Sequence, residues 1–293
     1  MPLTSLAAQN LATTTKTVPM WEGITPRWLL KLLPWVQVRS GVYRINRVKS
    51  PAKAMAEHGE GSELPISYAE YEPGPREITL TTVQSVLEIH TRIPDLHSQP
   101  HDQLHEQLRL TIEAIKEEKE RRLIASADFG LLHVAAPHMR LSTASGPPTP
   151  DDLDNLLARV WKMPAFFVAH PRALAAFGQE CNARGLPLET VEMLGVAFVA
   201  WRGVPILPSD KLPVIKRNTA YETTSILLMR VGEQEQGVVG LHQEGVGDEQ
   251  LQSLAVRFMG IDDKAVARYL VTCYFSVAVL VDDALGVLDN VRI

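Results

Sequence analysis

The residues best suited to chemistry are histidines crowded into one stretch: His90, His97, His101 and His105, with Glu106 beside the last. In His101-Asp102-Gln103-Leu104-His105 two imidazoles stand one helical turn apart, the spacing with which an HExxH helix offers two nitrogens to zinc. Asp102 takes the place of the glutamate and is one carbon shorter, and Leu104 belongs to an apolar stripe. A zinc-dependent hydrolase using His97, His101 and His105 is therefore the weaker reading. A polar helix start that happens to be rich in histidine is the stronger one. No GxGxxG opens a helix after a strand, no GxxxxGK[ST] loop is present, and Ser40-Gly41 and Ala144-Ser145-Gly146 lack the GxSxG elbow. Asp151-Asp152 reads as a helix start and Asp282-Asp283 as a strand end. Trp161, Phe166, Phe167 and Trp201 read as core. Cys181 and Cys273 sit in apolar patterns, as buried thiols in a reducing compartment do. No catalytic residue, metal or cofactor is expected.

The elements that would position any site are organised around Pro100–Leu123. Leu104, Leu108, Ile112 and Ile115 recur at helical spacing, flanked by Leu110 and Ala114. The opposite face is charged, with Glu113/Lys116, Glu117/Arg121 and Glu118/Arg122 in the favourable order. The resulting rod is about 35 Å long. It is a support for other elements, and its far end, Lys116–Arg122, is almost purely charged.

Met1–Pro19 is small and polar, an arm that needs a surface. Thr25-Pro26 opens a short helix with Trp28, Leu29, Leu32 and Leu33 on one side and Pro34 as its stop. Strands are expected at Val42–Lys49 and Glu77–Val83. The 27-odd residues between them show no period, which fits a projecting two-stranded flap that lies on a neighbour. Gly146-Pro147-Pro148 marks a boundary, and Thr149-Pro150-Asp151-Asp152 starts a helix. Further helices are expected at Pro171–Arg184, stopped by Gly185, at Pro187–Leu194 and at Asp262–Arg268. Further strands are expected at Phe166–Val168, Val196–Trp201, Ser225–Val231, Val238–His242, Leu254–Met259 and Tyr269–Val281, with a hairpin at Gly232–Gly237. The mixture without a βαβ beat is α+β.

The chain has 293 residues, room for one large domain or two, and a net charge of −5, which disfavours a nucleic-acid surface. The longest apolar run, Tyr269–Val281, falls short of the roughly 20 residues a membrane helix needs. No membrane association and no signal peptide are expected, and the compartment expected is the cytoplasm.

Several stretches together resemble the family 2A encapsulin shell proteins, a group that includes the mycobacterial antigen once called a major membrane protein. They are Thr15–Val48, His90–Ile112, Thr149–Pro164, Trp201–Asp210 and Val256–Leu288. The resemblance implies the Hong Kong phage-type major capsid fold. Its parts would be an N-terminal arm (1–40), an extended loop (41–83), a peripheral domain with a spine helix (84–148 and 260–282) and an axial domain (149–259 and 283–293). It implies a homo-oligomeric icosahedral shell, T=1, that forms a cytoplasmic nanocompartment around a cysteine desulfurase in sulfur metabolism or storage. The branch with an inserted cyclic-nucleotide-binding domain does not fit, since no interval has room for one. The resemblance also implies that Asn182, Ala183, Arg184, Gly185, Leu186 and Pro187 line a five-fold pore, where a ring of inward-pointing Arg184 would favour anions or zwitterions over cations; the alternative is that Arg184 turns onto the surface or pairs with Glu180. Trp28, Leu29 and Leu32 are the expected cargo-docking residues. A phage capsid protein enclosing nucleic acid is the rival with the same fold.

Overall fold

The computed structural model describes residues 25–50, 52, 67–90, 103–143, 146–216, 221–243 and 254–293. In chain order these residues form α1 (Trp28–Leu32), β1 (Trp35–Val38), β2 (Val42–Ile45), β3 (Val48–Ser50), β4 (Glu70–Tyr71), β5 (Arg76–Thr79) and β6 (Thr81–His90). The spine α2 (Gln103–Ala125) follows, then α3 (Leu131–Val134), β7 (Arg140–Ser142), α4 (Pro150–Arg159), β8 (Phe166–Ala169) and α5 (Pro171–Ala183). The remainder is β9 (Glu189–Met193), β10 (Val196–Trp201), β11 (Val204–Pro208), β12 (Ile215–Lys216), β13 (Glu222–Met229), β14 (Val238–Gln243), β15 (Leu254–Ile261), β16 (Val266–Val279) and β17 (Leu285–Arg292). The class is α+β, as expected.

Two sheets carry the fold. In the first, β16 is central. Antiparallel β6 runs along one of its edges, while β15 and β14 share the other, pairing with 267–273 and 275–279 in turn. Strand β1 extends this sheet parallel to β14. The second sheet has the order β7-β17-β13-β8-β11-β10-β9, with β12 hooked onto β13. All four residues of β8, Phe166–Ala169, are buried, because successive side chains enter opposite layers. Phe167 and Ala169 meet α4 and α5 through Leu153, Leu156, Phe177 and Cys181. Phe166 and Val168 join a cluster with Leu123 and Ile124 of α2, Trp28 and Leu29 of α1, and Val271, Cys273 and Phe275 of β16. The end of the spine is therefore the point where both sheets and the arm helix share one core.

Local chemistry accounts for the element boundaries. Thr149 caps α4 through a reciprocal box: its Oγ1 accepts from Asp152 N (3.2 Å), and Asp152 Oδ2 accepts from Thr149 N (2.9 Å). Helix α4 lies so close on β17 that a Cβ at Gly286 would come within 2.8 Å of Leu156 and 2.9 Å of Val160. The expected ribbon exists, with β2 antiparallel to β5 from Val42↔Thr79 to Ile45↔Arg76. Tyr43, Ile45, Ile78 and Leu80 pack beside Val38, Val239 and Leu241, so the base of the ribbon lies on its own first sheet.

Several expectations fail. The stretch 187–194 holds strand β9, Glu189–Met193, and not a third helix. The φ of +55 at Leu194 and +73 at Gly195 make a tight turn that folds β9 back on β10. Residues 262–265 are likewise a hairpin turn and 266–268 already belong to β16, because Asp262 Oδ1 accepts from both Lys264 N and Val266 N (2.9 Å each). Gly232–Gly237 joins no hairpin: β13 is held between β8 and β17 while β14 pairs with β16, so the chain crosses between sheets there. Strand β11 was not anticipated. The expected grouping of 149–259 as one unit also departs from the pairing, since β14 and β15 lie in the first sheet with β16. Pro100 lies outside the described residues, within which the spine begins at Gln103.

Candidate assembly and pore surfaces

The turn after α5 is built by its sequence. Gly185 has φ +69, Leu186 N donates to Cys181 O (2.9 Å) and Gly185 N donates to Asn182 O (3.1 Å), which is a Schellman ending. Asn182, Ala183, Arg184, Gly185, Leu186 and Pro187 are all exposed. Arg184 is not a bare cation. Its Nη1 donates to Asp151 Oδ2 at 2.8 Å, so the charge is paired across to the start of α4. Next to it Asp154 binds Arg202 (3.0 Å) and the Trp201 indole N–H (2.7 Å). The Arg202 bond, ahead of the Trp201 bond, holds the Asp154 carboxyl below its usual range. The surface around this turn is thus a lattice of short ion pairs.

The arm helix is seated on the charged end of the spine. Residue Arg27, at the start of α1, makes no side-chain cap, and the cap comes instead from Glu120, 0% exposed. Glu120 accepts from Leu29 N (2.9 Å) and Leu30 N (3.0 Å). Burial pushes its carboxyl up to about 7, against the pull of those two N–H groups and of Lys211. Buried Lys211 donates to Thr25 Oγ1 and to Pro26 O, and pairs with Glu117 (3.0 Å) and Asp210 (3.1 Å). Arg27 bridges to Glu113 (2.6 Å) and Glu117 (3.5 Å). Burial alone would raise Glu113, but Lys116 and Arg27 hold it below its ordinary value. Lys119 is also buried, its ammonium 3.9 Å from the Trp35 ring centroid, and burial pushes its pKa down.

This seat was missed from sequence. The run Lys116–Arg122 reads as a solvated face, and the expected Glu117/Arg121 pair gives way to Glu117 with Arg27 and Lys211. The signal available was Glu113, Glu117 and Glu120 on one helical face, opposite a short apolar helix with no acidic first turn.

Of the expected docking residues, Trp28 and Leu29 are spent inside the subunit. Trp28 Nε1 donates to Pro208 O (2.7 Å) and its ring meets Phe198 edge-on. Leu29 is fully buried, while Leu32 is half-buried. His97 and His101 lie outside the described residues. Among the described residues no three metal-ligating side chains cluster, and no helix is long and apolar enough to cross a membrane.

Comparison with known proteins now bears on these surfaces. Residues 45–293 match the family profile described as type 2A encapsulin shell protein, SrpI-like. The chain is 54% identical to the type 2A encapsulin shell protein SrpI of Synechococcus elongatus, covering 100% of this chain and 95% of that one. It is 53% identical to the type 2A encapsulin shell protein of Mycobacterium leprae, covering 99% and 94%. Its fold superposes on a subunit of the holo-SrpI encapsulin complex of Synechococcus elongatus with a TM-score of 0.84 at 52% identity, covering 99% and 96%. The capsid of an empty GTA particle shares the fold alone, with a TM-score of 0.65 at 14% identity over 98% and 97%. The Hong Kong phage-type capsid fold is therefore present, in relatives whose role is structural and not enzymatic. The chain belongs to the type 2A encapsulin shell protein family.

Proposed function

We propose that copies of this chain close into a T=1 icosahedral nanocompartment in the cytoplasm, around a cysteine desulfurase that works in sulfur metabolism or storage. The coarser statement, a self-assembling shell protein of capsid fold, follows from family membership. Enclosure of a cargo is supported by the end-to-end likeness to a subunit of a holo encapsulin complex, and the T=1 lattice and the desulfurase by the sequence resemblance set out above. The turn 182–187 is proposed as the rim of a five-fold opening. With Arg184 bound to Asp151, that rim carries rings of ion pairs, and it selects anions less strongly than bare arginines would. Of the three expected docking residues, Leu32 is the one with surface left for a cargo tail.

The test is expression of the chain alone, followed by size-exclusion chromatography and negative-stain imaging. Particles purified from the native host are then examined by mass spectrometry and by their absorbance ratio for nucleic acid. Uniform hollow particles that co-purify with a cysteine desulfurase are expected, and Leu32→Asp should lower cargo without lowering particle yield. A different co-purifying enzyme would remove the cargo assignment. Particles filled with nucleic acid would favour a phage-type capsid.

A further inference from the structure

Strand β15 is unusual in this subunit. It is the last strand of its sheet, paired with β16 along one edge and, among the described residues, with nothing along the other. It exposes four large apolar side chains: Val256 at 42%, Phe258 at 56%, Met259 at 57% and Ile261 at 59%. Among the described residues the spine packs chiefly on β6 and β16, and of β15 only Leu254 joins the core they share. A register shift after Phe258 leaves Met259 without a partner on β16. The Phe258 ring lies against Tyr269, with centroids 5.3 Å apart. Free edges in chains that stay monomeric are blunted by charged side chains, proline, a bulge or a covering segment, and of these β15 has the one irregularity at Met259. Here the only charge on the strand is Arg257.

We propose that the outer edge of β15, with Val256, Phe258, Met259 and Ile261, is an assembly interface covered in the shell wall by a second copy of this chain. A cargo tail, as one extended segment, would satisfy the edge but leave apolar groups on the flanking faces in water. A folded neighbour can cover the edge and its flanks together. Charge also fits a second copy. Exposed Arg257 on the strand and exposed Asp263 and Lys264 at the adjoining turn carry both signs, and among the described residues none of the three makes an ion pair. Contacts between identical copies can bring such unlike charges together.

The proposal rests on the shell reading, so wild-type particles are the control. Phe258→Glu and Ile261→Lys are each expected to give soluble chain with wild-type circular dichroism and at least about ten-fold less particle. A second measurement needs no variant: amides of 256–261 should exchange at least about ten-fold more slowly in wild-type particles than in dissociated wild-type subunits. Variant particles at wild-type yield overturn the proposal, and if they have lost their cargo the strip is a cargo dock. Equal exchange in particles and subunits overturns it as well, even if the variants fail to fold. A wild-type chain that forms no particles overturns the shell reading and this interface with it.

Discussion

Glu120→Gln isolates the most consequential group in the arm seat. The Glu120 carboxyl is raised from its ordinary 4.5 to about 7 in a site with no exposure. The folded chain therefore holds a proton that the unfolded chain has released between those values. This proton's contribution to stability is fully present below about 4.5 and is lost as pH rises through about 7. Between about pH 5.5 and about pH 8 the loss comes to about 2 kcal/mol. The groups facing Glu120 are Lys211 from the β11–β12 connection, Glu117 and Lys119 on the spine, and the N–H groups of Leu29 and Leu30. Glu113, whose pKa is lowered, acts with the opposite sign on the acid side of its ordinary value. Urea unfolding of dissociated subunits at the two pH values, for wild type and Glu120→Gln, reads the difference. Glutamine can accept one of the two N–H groups, so the variant should lose about 1–3 kcal/mol near pH 5.5. It should also be flatter with pH by about 2 kcal/mol. Identical pH slopes in the two proteins would refute the reasoning.

Three further outcomes are expected. Asp283→Ala strands the buried Arg230 guanidinium, which now binds Asp283 at 2.7 Å, and should cost about 3–5 kcal/mol by urea unfolding. Gly185→Ala forces a Cβ into a left-handed conformation at φ +69; a loss of about 1–2 kcal/mol is expected, with faster amide exchange at Leu186. Thr149→Ala removes the capping box of α4 and should lower stability by about 1 kcal/mol, whereas Thr149→Ser should retain most of it.

Much was legible because it is local. The spine, the Thr149 cap, the Gly185 stop, the ribbon strands and the long buried β16 each follow from side-chain spacing or one residue's backbone preference. The misread elements were those where local signals tie. Leu188 and Val191 stand three positions apart as on a helix face, yet the left-handed pair Leu194-Gly195 and the β10 edge make the segment a strand. Asp262–Arg268 contains good helix residues, but one carboxylate accepting two N–H groups closes it as a turn.

By itself the sequence determined the family, the α+β class and the main stops and caps, since these depend on residue type and short spacing. Only the tertiary structure decided what became of the charges and the edges. Arg184 could not be known to meet Asp151, nor Glu120 to cap a helix some 90 positions earlier, because those partners are distant in sequence and adjacent only in the fold. The same holds for β15: its residues read only as a strand, and the sheet order decides that its outer edge is uncovered among the described residues. Burial is a property of what packs above a residue, and no local pattern states that.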